Sequence, residues 1–301
     1  MKPRTPLPSA LSNGPFAYAS GLHYASPKRL RGSDLSAPFR GVRVPGTRAD
    51  TTLHRARAFA TRMPPAAFFN SITAASLHGI PLPRHLQEAD EVHVAVLLPA
   101  RATQTRNVVG HAVTLMGDDM VMRNGMRVAS VCRTWCELAA VLELFDLVAA
   151  GDYIIHHELP LASREQLADA VERYPGRRGR ARLRRALPLL SDRAESAQES
   201  RLRCILVVEG LTGLQPNFWV TIRGRRLRID IAIPERKVAI EYQSQYHLDP
   251  AQHRKDMTRA SILASDEWLT LEINADDMRS PREIVERVLA TLATRPHWPQ
   301  P

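Results

Sequence analysis

The sequence predicts an α/β protein in two parts, and three observations carry that prediction. At 301 residues the chain sits at the limit of what one hydrophobic core serves, about 250–300 residues. Strict apolar–polar alternation, the period of a half-buried strand, occurs at residues 91–97 (EVHVAVL) and on both sides of Pro234-Glu235-Arg236-Lys237. Around these runs apolar residues return at helical spacing, as at Trp135, Leu138, Val141, Leu142 and Leu147.

Taken in order, residues 1–15 are Pro-rich and lack periodicity, so a disordered or loosely attached leader is expected. Residues 16–50 carry short helical stretches, with Leu22, Leu30 and Leu35 spaced for one small core, and RGVRV (40–44) then alternates like a strand. That order is the order of a winged helix. Residues 51–162 are expected to form an α/β region: a helical run over 53–78, strands at 91–97 and 111–115, and a helical region over 131–150. Residues 163–190 form a basic helical junction, opened by Ser163 and Gln166 in capping-box spacing. Seven arginines fall between Arg173 and Arg185, interrupted by Pro175, Gly176 and Gly179. Such a run is a solvated face or a phosphate-contacting arm, and composition does not choose between them.

Residues 191–296 form the last domain. A helical stretch (AESAQESRLRCILVVEGL) precedes the hairpin, a crossover helix is expected over 254–264, and a strand over 268–273 puts Leu269, Leu271 and Ile273 on one face. Ser280-Pro281-Arg282-Glu283 opens a final helix, with Pro at its first position and a capping box.

Lys and Arg number 41 against 31 Asp and Glu, a formal charge of +10. That balance favours a polyanionic partner, which is DNA, RNA or an anionic membrane surface; a nucleic acid is expected, double-stranded DNA first, with an RNA-directed nuclease left open by charge and motif. No apolar run reaches the ~18–20 residues that span a bilayer, and the N-terminus lacks an apolar signal core, so the expectation is a cytoplasmic protein without a membrane partner. Three cysteines argue against a disulfide scaffold. Cys132 and Cys136 have no second pair at matching spacing and are expected to be core residues rather than zinc ligands.

The chemistry concentrates in RRLRIDIAIPERKVAIEYQSQYH, from Arg225. A turn centred between Glu235 and Arg236 pairs Ile229 with Tyr242, Ile231 with Ile240 and Ile233 with Val238, one continuous apolar face. The other face then pairs Arg228 with Gln243, Asp230 with Glu241 and Ala232 with Ala239. A slip of one residue destroys this segregation. Two carboxylates facing each other repel by several tenths of a kcal/mol, on the order of 0.2–1. A hard divalent cation, Mg²⁺ or Mn²⁺, held by Asp230 and Glu241 relieves that repulsion; a salt bridge from Arg228 or another arginine does so too. Glu199 lies on the preceding helix, four residues from both Glu195 and Arg203, where an exposed ion pair is the alternative. Gln243 projects from the same strand face as Glu241, and His247 lies just past the strand end.

Asp230, followed after ten residues by Glu241-Tyr242-Gln243, resembles the Asp…(Asp/Glu)-x-Lys signature of the restriction-endonuclease-like nuclease superfamily. Together with ESRLR (199–203), His247, RKD (254–256) and TLEI-NADDM (270–278), it resembles the uncharacterised bacterial family related to very-short-patch-repair endonucleases. The resemblance covers about a hundred residues. It implies a restriction-endonuclease-like mixed sheet flanked by helices, with Asp230 and Glu241 as metal ligands, the Tyr242 carbonyl completing the site and Glu199 as a helix-borne acid. It also implies that His247 acts as acid or base. Gln243 stands where the signature has lysine, and Gln243-Ser244 where the family commonly has Asp-Gly. Glutamine orients water but brings no charge.

The N-terminal half resembles more loosely the abortive-infection antitoxins of type IV toxin–antitoxin systems, through RGVRVP, AASLHGIPLP, EVHVAV and SVCRTWCELA. His78, His156 and His157 have no ligand spacing and are expected to be structural. The expectation is a Mg²⁺-dependent DNA endonuclease, with Arg177, Arg178, Arg180, Arg254 and Arg259 gripping the backbone. The alternative is a non-catalytic DNA-binding regulator of antitoxin type that retains a nuclease scaffold.

Overall fold

In the computed structural model, residues 5–46, 51–243 and 250–295 are described, the side chains of 250–256 excepted. Among them the protein is mixed α/β, with three separate sheets. Two compact units divide the chain: Met1–Leu142 with Arg164–Arg184, and Glu143–Ser163 with Arg185–Pro301.

The first unit opens with α1 (Ser9–Ser12), β1 (Phe16–Ala17), α2 (Tyr18–Gly21), β2 (Leu35–Ser36) and β3 (Val42–Pro45), its strands ordered β1–β3–β2. Leu11, Phe16 and Leu30 are buried together, with Leu7, Tyr18 and Leu35 against them. Leu7 and Leu11 come from the expected leader, so that stretch is docked by its own apolar side chains rather than loose. Leu22 does not join this core and is 45% exposed; α2 is a single turn, too short to carry an apolar stripe.

The helical run expected over 53–78 is instead α3 (Thr52–Ala60), β4 (Ala67–Phe69) and α4 (Ser71–His78). Pro64-Pro65 breaks the helix by removing two amide donors, and Ala67, Phe68 and Phe69 then bury completely as a strand. Gly79 ends α4 in the left-handed region at φ 79°, where a side chain is strained. After α5 (Arg84–Gln87), strands β5 (Val92–Leu97), β6 (Val108–Val113), β7 (Met120–Arg123) and β8 (Met126–Ala129) complete a sheet ordered β6–β5–β4–β8–β7.

The helical region expected over 131–150 holds two helices: α6 (Val131–Leu138) in the first unit and α7 (Leu144–Ile154) in the second. Arg133 of α6 is buried, donating Nε to Glu137 Oε1 at 2.8 Å and Nη1 to Asp119 Oδ2 at 2.9 Å, while Glu137 Oε2 accepts from the Ser71 amide at 2.9 Å. The SVCRTWCELA block is therefore a buried ionic bracket, and Cys136 fills core beside it. α8 (Arg164–Arg173) belongs to the first unit, and α9 (Arg180–Ala186) spans the division.

In the second unit, Asp152 of α7 accepts from the Ser191 amide, Ser200 Oγ and Arg203 Nη2, each at 2.7 Å. These bonds fasten α7 to α10 (Ala197–Val208). Four strands follow: β9 (Gln215–Ile222), β10 (Arg225–Ile233), β11 (Val238–Gln243) and β12 (Leu269–Asn274), ordered β12–β11–β10–β9. β9, β10 and β11 are an antiparallel meander; β12 joins β11 in parallel through α11 (Pro250–Ala264), and α12 (Pro281–Ala293) closes the unit. Pro281 opens α12 as expected, but the Ser280 side chain makes no cap bond.

The expected hairpin register is observed next to the turn, where Ile231 pairs with Ile240, Ala232 with Ala239 and Ile233 with Val238, but the strand pairing does not extend to the expected Asp230–Glu241, Ile229–Tyr242 and Arg228–Gln243 positions. Both faces of the sheet are covered. Ile231, Ile233, Val238 and Ile240 pack on α10 and α12 through Leu202, Leu206, Ile284 and Val288. Ala232 and Ala239 pack on the other side with Leu263 and Trp268, where two small side chains let α11 approach. The single apolar face expected through Ile229 is corrected: Ile229 buries with Ala232 and Ala239, not with Ile231 and Ile233. The strand changes face at Asp230, opposite Asn217, whose φ is 49°.

Candidate functional site

Asp230 stands where β10 changes face, and Glu241 stands in the middle of β11. The β9–β10 register runs unbroken from Arg225↔Ile222 to Ile229↔Phe218 and resumes at Ile231↔Pro216, omitting the Asp230–Asn217 position. Local interruptions of this kind re-aim a side chain beside a site. Asp230 Oδ2 accepts the Tyr242 amide at 2.9 Å, so the carboxylate reaches across to the neighbouring strand.

Glu241 is 4% exposed. Its partner is Arg259 of α11, which donates Nη2 to Oε1 at 2.7 Å and Nη1 to Oε2 at 3.0 Å. The same guanidinium bonds the Arg228 carbonyl, so one side chain ties α11 to both strands of the hairpin. Arg228 itself pairs with Glu195, Nη1 to Oε1 at 2.6 Å.

Glu199 reaches the cluster from the first turn of α10. Its amide donates to Ser196 Oγ at 3.1 Å, and its Oε2 accepts from the Glu195 amide at 3.1 Å. This is a capping box displaced by one residue. The same Oε2 accepts Asn217 Nδ2 at 3.1 Å. Asn217 Oδ1 is buried without a hydrogen-bond partner among the described residues, leaving an amide oxygen open on the side chain that bonds the Glu199 carboxylate. The ion pair of Glu199 with Arg203, left open by the spacing, does not form, because Arg203 turns inward to Asp152.

Crowding sets the electrostatics. Burial, then the Asp230 charge, push the Glu241 carboxyl up to about 8, and the Arg259 fork opposes this without cancelling it. Burial raises Asp230 as well, against the Tyr242 amide and the Arg259 and Arg228 charges. Glu199 is raised by burial and by Asp230. Three adjacent carboxyls are thus held toward their protonated forms, the condition under which a bound cation gives most stabilisation.

The sequence-predicted residues separate accordingly. Glu199, Asp230 and Glu241 come together. Gln243, half-buried on β11, pairs with Asn274 of β12. Arg259 is at the site, as a clamp on Glu241. His247 and the Arg254 side chain lie outside the described residues. Arg177 and Arg178 are exposed and Arg180 half-buried, all three in the first unit, while neighbouring Arg182 is structural, donating to the carbonyls of Ala139 and Leu142. His78 bonds the Ala129 carbonyl at 2.7 Å and is buried. The NADDM stretch is a turn: Asn274 Oδ1 accepts the amides of Asp276 and Asp277, and Asp277 pairs with Arg287.

Sequence reasoning missed β9 and with it Asn217. The signal was present as Phe218, Val220 and Ile222 in alternation before Arg223-Gly224, a two-residue turn with both φ positive, 48° and 76°. Glu195, as the partner of Arg228, was also missed.

The donor set suits a hard cation in part. Among the described residues no three His, Cys, Asp or Glu side chains are placed to hold a metal by themselves. Mg²⁺ commonly takes one or two carboxylates and fills its remaining positions with neutral oxygens, water and phosphate. Asp230, Glu241 and the Asn217 amide oxygen are oxygen donors of that kind, and Arg259 occupies both carboxylate oxygens of Glu241.

No family model matches the chain, and no solved structure matches it. Over 129 residues it is 33% identical to "Uncharacterized protein MT2308" of Mycobacterium tuberculosis (strain CDC 1551 / Oshkosh), a stretch covering 42% of this chain and 48% of that one. The same figures hold for "Uncharacterized protein Rv2248" of Mycobacterium tuberculosis (strain ATCC 25618 / H37Rv). The chain spans about half the length of these curated relatives.

Proposed function

We propose that the second unit is a divalent-cation-dependent phosphodiesterase of the restriction-endonuclease-like type, acting on double-stranded DNA. The observation that carries this reading is buried Glu241 and half-buried Asp230 on neighbouring strands, with Glu199 beside Asp230 and all three carboxyls raised. Three crowded acids are a poor structural choice, since like charges on paired strands are destabilising; they serve where positive charge is delivered. A helix bearing one acid, a hairpin bearing two and a crossover helix to a parallel strand agree with the architecture that the sequence resemblance implies.

In this reading Asp230 and Glu241 would hold Mg²⁺ or Mn²⁺, and the chemistry the ion would supply there is positive charge toward the scissile phosphate and a lowered pKa for water. Gln243 orients that water through its side-chain amide. Arg259 exchanges the Glu241 carboxylate for a backbone phosphate, a bidentate partner of the same geometry. Glu199 remains on the α10 cap and adds negative charge that strengthens cation binding.

A second reading is favoured by one specific observation: Arg259 already holds both carboxylate oxygens of Glu241 without any cation. In that reading the unit is a scaffold and the protein a DNA-binding regulator of antitoxin type. Nicking of supercoiled plasmid by the purified full chain separates them, run with Mg²⁺, with Mn²⁺ and with EDTA, beside an Asp230→Ala/Glu241→Ala variant. Cation-dependent nicking lost in the variant supports the nuclease. Salt-sensitive DNA binding that persists in EDTA, without nicking by either protein, supports the regulator.

A further inference from the structure

A cavity of about 730 Å³ opens in the first unit, lined by Arg40, Arg43, Arg55, Arg106 and Asn107, with Asp90 the acidic side chain among its walls. Four arginines and one aspartate line it, a formal net of three positive charges around one concave space. We infer that this cavity binds a phosphorylated small molecule of nucleoside diphosphate size and charge.

The arginines divide into two kinds. Arg55 is 7% exposed and fixed in place, with Nη2 donating to the Ala89 carbonyl at 2.9 Å and Nη1 lying 3.5 Å from Asp90 Oδ1. Arg43 is fixed as well: Nε donates to the Leu30 carbonyl and Nη1 to the Val42 carbonyl, both at 2.8 Å, and its guanidinium lies 4.8 Å from the centre of the Tyr18 ring. Their side-chain entropy is spent before any ligand arrives. Arg40 and Arg106 are exposed and form no ion pair among the described residues. Asn107, at φ 62°, is anchored through Nδ2 to the Pro38 carbonyl at 3.1 Å, and it holds the backbone turn that presents Arg106.

Like charges gathered in a concavity repel one another, and low-dielectric walls concentrate their field. An anion inside relieves both costs. The volume lies within the range of small-molecule sites, about 300–1,000 Å³. A DNA duplex offers its phosphates on a convex ridge that meets Arg40 and Arg106 at the rim but not Arg55 inside. A nucleoside diphosphate carries a negative charge comparable to the site's positive charge near neutral pH, and the remaining volume accommodates its sugar and base. This inference does not depend on the nuclease reading, whose residues are in the second unit.

The test is calorimetric titration of adenosine diphosphate, pyrophosphate and adenosine into the full chain, with EDTA present so that a cation site does not contribute. Arg40→Ala and Arg106→Ala are the informative variants, since both side chains are exposed and neither carries an ion pair among the described residues; unchanged melting confirms that each is folded. Arg57→Ala, exposed in the same unit and outside the cavity lining, is the charge-matched control. Adenosine diphosphate is expected to bind, adenosine is not, and each variant is expected to lose about tenfold or more in affinity, the value of a charge-assisted hydrogen bond. The control should lose little. Absence of binding by both phosphorylated probes overturns the inference, as does binding that neither variant weakens. A short DNA duplex that displaces adenosine diphosphate and binds more tightly, with loss in the same variants, reassigns the cavity to nucleic acid and overturns it too.

Discussion

Arg259 holds both carboxylate oxygens of Glu241, at 2.7 and 3.0 Å, from a helix that begins beyond the strand carrying Glu241. A bidentate guanidinium occupies the positions that a cation needs, so the two compete for one carboxylate. Arg259→Met removes the competitor and leaves Asp230 and Glu241 in place. The variant is expected to bind Mn²⁺ about tenfold more tightly, within the range of a charge-assisted pair, and to bind DNA more weakly. Titration followed by the paramagnetic signal of free Mn²⁺ measures the first effect. Weaker Mn²⁺ binding would assign Arg259 a purely ordering role.

Stability should fall as pH rises in the absence of divalent cation. Glu241 titrates near 4.5 when unfolded and is pushed up to about 8 in the folded chain, and Asp230 and Glu199 are raised in the same direction. Between those pH values the folded state holds a proton that the unfolded state has released, so raising pH draws the equilibrium toward unfolding. The contribution of Glu241 is fully lost only above its folded value, and its size is on the order of a few kcal/mol. Urea melts in EDTA across this window measure the slope. Glu241→Gln should flatten it, and Mg²⁺ should stabilise the wild type increasingly toward the alkaline end.

How much of this was legible in the sequence depends on how local the cause was. The pairing of Ile231 with Ile240 and Ala232 with Ala239 followed from a turn whose centre could be fixed and a pattern that a one-residue slip would destroy. The partners of the site residues were not legible, because they arrive from elsewhere in the chain: Asn217 from a strand with an inconspicuous Arg-Gly turn, Glu195 from the start of α10, and Arg259 through a crossover helix. Ile229 shows the limit of periodicity. Alternation assigned it to the face of Ile231, whereas a positive φ at Asn217, on the neighbouring strand, coincides with the change of face. The assignment of α7 was hidden similarly, since its apolar spacing continues that of α6, while the polar side chains that fasten it, Asp152 to Ser200 and Arg203 and Asp146 to Arg201, find their partners on α10.

That fastening makes its own prediction. Asp152 is 1% exposed and receives Arg203, itself 6% exposed. Asp152→Ala leaves a buried guanidinium without its carboxylate, which costs about 3–5 kcal/mol. Replacing both partners, as in Asp152→Leu/Arg203→Met, removes the stranded charge and should cost distinctly less. Equilibrium denaturation of the two variants compares them; equal losses would place the stability in the packing of α7 on α10 instead of the ion pair.

Gln243 offers the most direct test of the chemistry, because a single substitution restores what the resemblance lacks. It lies on β11 two residues beyond Glu241 and beside Asn274 of β12, half-buried at the same end of the sheet. Lysine there brings positive charge against a developing phosphorane, where one well-placed donor is worth about a hundredfold or more in rate. Gln243→Lys should therefore raise plasmid nicking by at least tenfold in Mg²⁺ if Asp230 and Glu241 hold a cation, and Asp230→Asn in the same background should abolish the gain. A scaffold that only binds DNA responds differently: lysine tightens salt-sensitive binding in EDTA and nicking stays absent. The variant thus separates a slow nuclease from one that has lost its chemistry, a distinction that weak wild-type nicking alone leaves open.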